Sequence, residues 1–447
     1  MFEGKSRTLF FRFAVPQMIG LLFNSVYTII DGVFIGHRLG REAMAAAAVA
    51  VPLIEILISV AIAAGSGAGV LIAARLGAGD REGARRLFNT AAGMLAAAGV
   101  LVALLGNLFL APLARLLGAS PEILEPACGY LWFIVTFSPF QLFSFLLGGM
   151  ARNDGRPGLA MTAMILGAGS NILLDYVFMY PLNLGIRGAA MATALGPIFS
   201  VLILLPHFLG RRGELYFAPC PLRRRWLSDA GGILVCGVPS FVMEFSIGIV
   251  TFLYNFAIAR WGYGELGLAA YLVIGYLMLI ILTLFLGMAE GLQPVFSRFM
   301  ATGERERGLA MRRFSTGAFL GVGLVSCLLV FTCSRWFFLA FAPEDPELIA
   351  FAVDRAAPYF CGFFLTGFNI LMISFWQATQ ETGRALAVSL LRSVILPPAL
   401  LLILPPLLGR EALWVCQSAA DALTALFVIF SLSSPGYRDT IDQLNRK

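Results

Sequence analysis

Two acidic and two neutral oxygen-bearing side chains occur within apolar runs of the sequence, where a carboxylate is costly. Asp31 lies in SVYTIIDGVFIG, and Asn171 and Asp175 lie four residues apart in NILLDYVF. Thr193 lies in GAAMATALG. Such oxygen ligands suit a hard monovalent cation, or a proton that two carboxyl groups share. Because two nearby aspartates are not both ionised cheaply without a cation, one of them should hold a proton when no cation is bound.

The chain that carries these residues has the composition of a polytopic membrane protein. Of its 447 residues, 59% are hydrophobic and 13% are charged, and the mean hydropathy is +0.84. A soluble domain is closer to half apolar and a quarter charged. Apolar stretches of about 20 residues recur from end to end, and only helices of that length satisfy their own backbone in lipid. The seven cysteines lack metal-ligand or disulfide spacing, so we interpret them as packing residues.

Charged turns and Gly or Pro residues divide the sequence into twelve predicted membrane helices. With the N-terminus inside, the inner loops and termini hold 23 Lys or Arg, the outer loops hold eight, and Arg392 lies within a span. This bias predicts a multi-pass protein of the inner (plasma) membrane with both termini in the cytoplasm. The positive residues behind the net charge of +6 lie in the same short loops between apolar spans, so the membrane orientation explains them and we expect no nucleic-acid partner. The predicted spans are roughly 9–36, 44–75, 88–114, 126–151, 158–181, 187–210, 230–259, 266–297, 313–342, 350–378, 385–409 and 411–434.

The two halves of the sequence repeat each other. AVPQM (14–18) matches GVPSF (237–241), and three further pairs follow in order at nearly the same offset. Six helices per half is an even number, so both copies enter the membrane from the same side, and such parallel repeats with a central cleft are typical of transporters. The sequence therefore predicts an all-α fold of two pseudo-symmetric six-helix bundles, at 1–210 and 230–447, joined by a cytoplasmic linker at 211–229.

Counting along the spans places the polar residues at one depth. Asp175 lies nine residues before the outer turn near residue 184, and Thr193 lies nine residues after it. Asp31 precedes the turn expected near residue 40 by the same nine residues, which at 1.5 Å per residue is the same depth. Asn171 shares a helix face with Asp175. We predict that the four side chains form one site in the N-terminal bundle; the alternative is that they only hydrogen-bond between helices.

Other polar residues within the spans are weaker candidates. Arg392 and Asp421 fall at similar depths on consecutive spans, and we expect them to form a structural ion pair. Glu244 in the seventh span and Glu290 in the eighth are candidates for a cleft or a substrate contact. Pro16, in the first span, removes a backbone hydrogen bond and permits a bend.

These segments together resemble the multidrug and toxic compound extrusion (MATE) transporters, most closely a MepA-like and DinF-like bacterial branch. The likeness covers essentially the whole chain, and no single segment carries it alone. It implies a secondary antiporter that exports organic, often cationic or amphipathic, compounds as two bundles rock. The segments, in order, are YTIIDGVFIGHRLG, ARNDGRPGLAM, NILLDYVF, GIRGAAMATALG, VPSFVMEF and GLQPVFSRFMATG.

The resemblance also implies roles for individual residues. Asp31, Asn171, Asp175 and Thr193 match a coupling site for H⁺ or Na⁺, and Pro16 has the spacing from Asp31 that similar transporters use for bending on protonation. No cofactor or metal is expected beyond that coupling ion, the partners are small-molecule drugs and the lipid bilayer, and a monomer suffices for the cycle.

Some relatives instead hold sodium between carboxylates on the seventh and tenth spans. Glu244 matches the first of these, but the tenth span has no carboxylate between Asp354 and Glu381, so a sodium site of that type is not expected.

Two other functions remain open at this stage. A flippase for lipid-linked intermediates is one, although such proteins favour a basic central cavity and these spans contain few Arg or Lys. A membrane prenyltransferase is the other, because NDGRP (153–157) superficially suggests a metal–diphosphate motif. The repeated acidic spacing for Mg²⁺ is missing, so we interpret ARNDGRP as an inner turn and the chain as a non-enzyme.

Overall fold

The structure is a computed structural model that describes residues 4–218, 224–341 and 345–433. Every regular element within those ranges is helical. Part of the predicted linker (219–223) and the predicted cytoplasmic tail from residue 434 lie outside the described residues. The helices are α1 (Ser6–Ala48), α2 (Val51–Gly77), α3 (Arg81–Leu108), α4 (Leu110–Leu116), α5 (Leu124–Asn153), α6 (Pro157–Met179), α7 (Gly185–Leu209), α8 (Arg224–Arg260), α9 (Gly264–Ala301), α10 (Arg305–Phe341), α11 (Pro346–Phe360), α12 (Phe363–Ala378), α13 (Thr382–Leu390), α14 (Leu396–Leu408) and α15 (Cys416–Ser433).

The helices confirm the predicted polytopic, all-α fold. Eleven helical stretches in the described ranges are long and apolar enough to cross a membrane. The helices α11 and α12 pass the same test as one pair bent by 46°, which brings the number of spans to twelve. The tenth predicted span is therefore bent rather than straight.

One predicted turn is wrong, and the eleventh span has a feature that the sequence analysis did not predict. The turn expected near residue 40 does not form, because α1 continues to Ala48 through REAMAAAA (41–48), which is rich in the strong helix former alanine and has no proline. The eleventh span is interrupted by a π-helical turn at Leu391–Ile395. Pro397 and Pro398 follow it after Leu396, and since neither has an N–H to donate, the regular hydrogen-bond ladder cannot continue there.

The chain packs as two compact units. The first comprises residues 1–245, 286–311 and 378–380, and the second comprises the remainder. These units follow packing rather than the duplication, because α8 and α9 each contribute to both. The bundle boundaries predicted from the sequence stay a prediction.

Glycines let helices of the first unit approach each other at backbone distance. A Cβ at Gly67 on α2 would overlap the carbonyl oxygen of Ile233 on α8, and a Cβ at Gly237 would overlap the carbonyl of Ala63. Gly287 and Gly291 bring α9 equally close to the backbone of α1. Helices in lipid gain no hydrophobic driving force from packing against each other, so close van der Waals contact between small residues usually stabilises such crossings.

The inner turn ARNDGRP holds the start of the long inner connection in the first unit. Asp154 accepts the backbone N–H of Glu214 at 2.8 Å and contacts His207 Nε2 at 2.6 Å. Gly213 passes so close to the Asp154 carboxylate that no larger residue fits. The Arg85 guanidinium donates to the carbonyl of Glu214 at 2.9 Å. Asp154 is thus a structural anchor, which agrees with the interpretation of this motif as a turn.

We predict that Gly67→Ala lowers the unfolding temperature of the purified protein in detergent. The new methyl group meets backbone rather than a movable side chain, so α2 and α8 must separate, at a cost of about 1–3 kcal/mol. Gly148→Ala is the matched control, because a Cβ at that buried helical glycine meets no atom within 4 Å. Equal loss of stability in both variants would contradict the tight crossing.

Candidate functional site

The structure brings the four predicted site residues together in the first unit. Asp31 comes from α1, Asn171 and Asp175 from α6, and Thr193 from α7. Asp175 has no exposed surface and Asn171 is 2% exposed. The continuation of α1 beyond residue 40 does not displace Asp31 from this group.

The two aspartates form the centre of the site. Their carboxyl groups lie within hydrogen-bonding distance of each other. One oxygen of each, Asp31 Oδ1 and Asp175 Oδ1, is buried and receives no hydrogen bond from the residues that the structure describes. Two carboxylates at this range repel each other, and a hydrogen bond between them requires that one be protonated. The pair is therefore suited to hold one proton, or to bind a small cation when both groups are ionised.

Asn171 links the acid pair to α7. In the amide orientation that satisfies both groups, its nitrogen donates to Asp175 Oδ2 at 3.1 Å and its oxygen accepts the N–H of Thr193 at 3.2 Å. The link is short because α6 and α7 cross closely at Gly167 and Gly196. A Cβ at Gly167 would overlap Ser200 on α7, and a Cβ at Gly196 would lie only 3.2 Å from the carbonyl oxygen of Gly167. The Thr193 hydroxyl donates to the carbonyl of Ala189 at 3.1 Å.

Two tyrosines complete the surroundings of the site, and neither was predicted. The Tyr130 hydroxyl lies 3.5 Å from Thr193 Oγ1, and the side chain is 3% exposed. Tyr27, on α1, interacts electrostatically with both Asp31 and Asp175. Tyr130 stands about nine residues from the outer turn that precedes α5, so the same depth count would have found it had phenol oxygens been included.

A second polar cluster joins α1, α5 and α9 within the first unit. Gln17 donates to Glu290 Oε2 at 2.7 Å and accepts from Arg152 at 2.9 Å. The Arg152 guanidinium also lies 3.3 Å from the same Glu290 oxygen. Glu290 is therefore neutralised by an arginine in this conformation. Pro16 directly precedes Gln17 within the continuous helix α1, and its bending role stays a prediction.

Glu244 lies on α8 with a partly exposed side chain, and it interacts electrostatically with Glu290 and Glu55. Because Arg152 already compensates Glu290, the negative character of this region of the first unit comes from Glu244 and Glu55. A negative surface within the spans suits organic cations, but the role of Glu244 in substrate contact stays a prediction.

The second unit contains the predicted pair of Arg392 and Asp421. Arg392 Nε lies 2.9 Å from Asp421 Oδ1, and the arginine is carried by the π-helical turn. Thr366 and Gln417 donate to the other carboxylate oxygen at 2.6 and 3.3 Å, and Asp421 has no exposed surface. This aspartate is fully compensated, which is what a structural ion pair requires.

No group of three or more His, Cys, Asp or Glu side chains arranged to hold a metal ion occurs in ranges 4–218, 224–341 and 345–433. The oxygen groups around Asp31 and Asp175 are two carboxyls, an amide and hydroxyls. Such a set fits H⁺ or Na⁺ better than a transition metal.

In the described ranges, eleven helices, or twelve spans with the bent pair α11 and α12, are long and apolar enough to cross a membrane, and buried acidic residues within such spans are typical of membrane transport proteins. The family model MatE matches residues 16–177 and 239–401, so the chain belongs to the MatE family and is not an enzyme. The two matches begin in register with AVPQM (14–18) and GVPSF (237–241), which supports the predicted duplication. The resemblance found in the sequence is confirmed.

The chain is also similar to curated relatives over nearly its full length. The multidrug export protein MepA of Staphylococcus aureus (strain MSSA476) is 26% identical over 427 residues, which cover 94% of this chain and 92% of the relative. The multidrug export protein MepA of Staphylococcus saprophyticus is 26% identical over 437 residues, with coverage of 96% and 94%.

Solved structures of MATE transporters have the same fold. One, described as the outward-facing conformation of a multidrug resistance MATE family transporter of the MOP superfamily, matches with a TM-score of 0.91 at 24% identity. Another, a crystal structure of MATE in complex with MaL6, matches with a TM-score of 0.90 at 24% identity. Each match covers 100% of this chain and 98% of the solved chain.

We predict that Arg392→Met strongly destabilises the protein, whereas Arg392→Met combined with Asp421→Asn restores most of the stability. The single change leaves a buried carboxylate without its cation, which costs on the order of 3–5 kcal/mol. Thermal unfolding in detergent measures both variants. Arg410→Gln is the control, since its pair with Glu411 is 60% and 58% exposed and should contribute little. A single variant as stable as the double variant would disprove the structural role of the pair.

Proposed function

We propose that this protein is a secondary antiporter that exports organic, cationic or amphipathic compounds in exchange for H⁺ or Na⁺. It lies in the inner (plasma) membrane with both termini in the cytoplasm, and alternating access comes from rocking of the two bundles. The coupling ion is the only cofactor, and the substrate and the lipid bilayer are the only partners that a monomer needs.

The observation that carries this proposal is the contact between Asp31 and Asp175. A coupling ion can drive a conformational change only by the difference in its affinity for the two conformations. A pair of carboxyl groups on two different helices, α1 and α6, supplies such a difference, because its repulsion depends on the distance between the helices. Protonation or Na⁺ binding therefore stabilises the conformation in which α1 and α6 approach. Ion and substrate then oppose each other through one equilibrium, with reciprocal coupling.

The carboxyl contact favours H⁺ as the coupling ion. A shared proton needs only two oxygens at hydrogen-bonding distance, and Asp31 and Asp175 provide them. Na⁺ needs several more oxygens, for which Asn171, Thr193 and Tyr130 are the nearby sources. Both ions therefore stay within the proposal, and the ion gradients distinguish them.

The substrate class is supported by two observations. The relatives in Staphylococcus are named multidrug export proteins. In this chain, Glu244 and Glu55 form the negative region described above, which attracts organic cations. A flippase cavity would instead be basic, and the two arginines named above within spans, Arg152 and Arg392, are each compensated by a carboxylate.

We predict that Asp31→Asn and Asp175→Asn each abolish coupled export while the protein is still made and inserted. Either change removes the carboxyl pair that binds the ion, so export of a fluorescent organic cation should fall to the level of cells without the protein. The assay follows efflux from whole cells or inverted vesicles, with the pH and sodium gradients collapsed separately.

The matched control for these variants is Asp354→Asn, which removes a 75% exposed carboxylate from α11 and should leave export unchanged. Loss of wild-type export on collapse of only the pH gradient identifies H⁺, and loss on collapse of only the sodium gradient identifies Na⁺. Export at the wild-type rate in Asp31→Asn or Asp175→Asn would disprove the coupling site.

We predict that Glu244→Gln raises the KM for a cationic substrate about tenfold and leaves the KM for a neutral amphipathic substrate unchanged. Removing one carboxylate from the negative region weakens attraction to a charge but not to an apolar ring. Initial rates of export measure both constants, and Glu347→Gln, in the exposed first turn of α11, is the control. Equal effects on both substrates would contradict a role for Glu244 in cation recognition.

A further inference from the structure

A basic cavity of about 510 Å³ opens in the first unit, away from the acid pair. It lies where α2, α5 and α9 end and where α6 and α10 begin, and the inner connection forms one wall. Five arginines line it: Arg156, Arg211, Arg212, Arg298 and Arg307. Neither the duplication nor the proposed antiport uses this cavity.

The acidic residues of the cavity are already engaged by other groups. Asp154 contacts His207 and accepts the N–H of Glu214. Glu304 pairs with Arg307 and accepts the hydroxyl of Thr302. The Glu214 carboxylate lies 3.5 Å from Arg81. The net charge that the cavity presents to a ligand is therefore positive.

Three of the arginines have exposed guanidinium groups that are available to a ligand. Arg156, Arg211 and Arg212 form no ion pair with any acidic side chain in the part of the chain that the structure describes. The Arg211 guanidinium stacks over the Tyr216 ring, 5.0 Å from its centre, which leaves its N–H edge unoccupied. Unpaired arginines that line one cavity repel one another, so an anion that bridges them would be stabilising.

The wall that carries Arg211 and Arg212 is held in place before any ligand binds. The Asp154 anchor fixes Gly213 and Glu214, and Arg85 donates to the Glu214 carbonyl. Asn89 donates to the carbonyl of Tyr216 at 3.2 Å and accepts the N–H of Ala218 at 3.1 Å. A binding site whose backbone is already ordered loses less conformational entropy when its ligand arrives.

We propose that this cavity binds a phosphate group, with Arg156, Arg211 and Arg212 as its ligands. Each planar guanidinium can form two parallel hydrogen bonds to the oxygens of a phosphate. A carboxylate has only two oxygens and would form such a pair of bonds with only one of the arginines. The expected source is the headgroup of an anionic phospholipid. The cavity lies at the ends of membrane spans on the side rich in Arg and Lys, where basic pockets between helices meet such headgroups.

The test uses the full-length protein in nanodiscs of phosphatidylcholine, which expose both faces, so it requires neither transport nor a known orientation. Short-chain (dioctanoyl) phosphatidylglycerol, short-chain phosphatidylcholine and free pyrophosphate are titrated separately at constant ionic strength, and binding is followed by thermophoresis. The variant is Arg156→Gln/Arg211→Gln/Arg212→Gln. The control, Arg115→Gln/Arg187→Gln/Arg335→Gln, removes equal charge at exposed arginines outside the cavity.

We expect saturable binding of phosphatidylglycerol to the wild type and to the control, and none of phosphatidylcholine. In the cavity variant the affinity should fall at least about tenfold, since each arginine near an anionic group contributes about a factor of five. An unchanged unfolding temperature without ligand shows that the cavity variant is folded. Binding of pyrophosphate alone, lost in the same variant, supports the phosphate site and identifies a soluble ligand as its source.

Two outcomes would overturn the proposal. One is that neither phosphate-bearing probe binds saturably to the wild type. The other is that the cavity variant and the control lose affinity to the same extent, which would mean that overall charge rather than this cavity attracts the probe. Because the acid pair is intact in all these proteins, neither outcome bears on the proposed antiport.

Discussion

The close contact of the half-buried Asp31 carboxyl group with the buried Asp175 carboxyl group is the constraint on which the rest of this protein depends. Asp31 and Asp175 lie on helices that are far apart in the sequence, and burial removes the water that would otherwise screen their repulsion. Such a pair is stable only with a proton or a cation between the two groups. In the proposed antiport, the distance between α1 and α6 is therefore tied to ion occupancy, which is the physical requirement for a coupled transporter.

The two units differ in how the charge of a buried aspartate is balanced. Asp421, in the second unit, has a counter-ion in Arg392 and two further donors, so its charge is balanced within the protein. Asp175 has only the amide of Asn171 and a second carboxyl beside it. Although the MatE model matches both halves of the chain, this acid of the first half thus has no counterpart to the arginine that balances Asp421.

Tight packing and polar anchors hold the helices of the first unit in register around the acid pair. Gly167 and Gly196 allow α6 and α7 to meet at backbone distance, which is why Asn171 reaches Thr193. The cluster of Gln17, Arg152 and Glu290 joins α1 to α5 and α9 through hydrogen bonds. Hydrogen bonds can exchange partners when helices move. A packed apolar contact cannot change its partners without opening a void.

The sequence by itself determined the class of protein and the number of spans, and it singled out the four side chains that the structure brings together. Those properties depend on hydrophobicity and on the fixed rise per residue of a helix, so they can be predicted without knowing how the helices rotate and pack. The turn expected near residue 40 was wrong, yet Asp31 still lies beside Asp175, because a helix that continues keeps the depth of its earlier residues. Only the tertiary structure decided that Tyr130 faces Thr193, that Asp154 anchors the inner connection and that unpaired arginines line one cavity. Those contacts depend on the rotation of each helix about its axis, which is set by packing against residues distant in sequence.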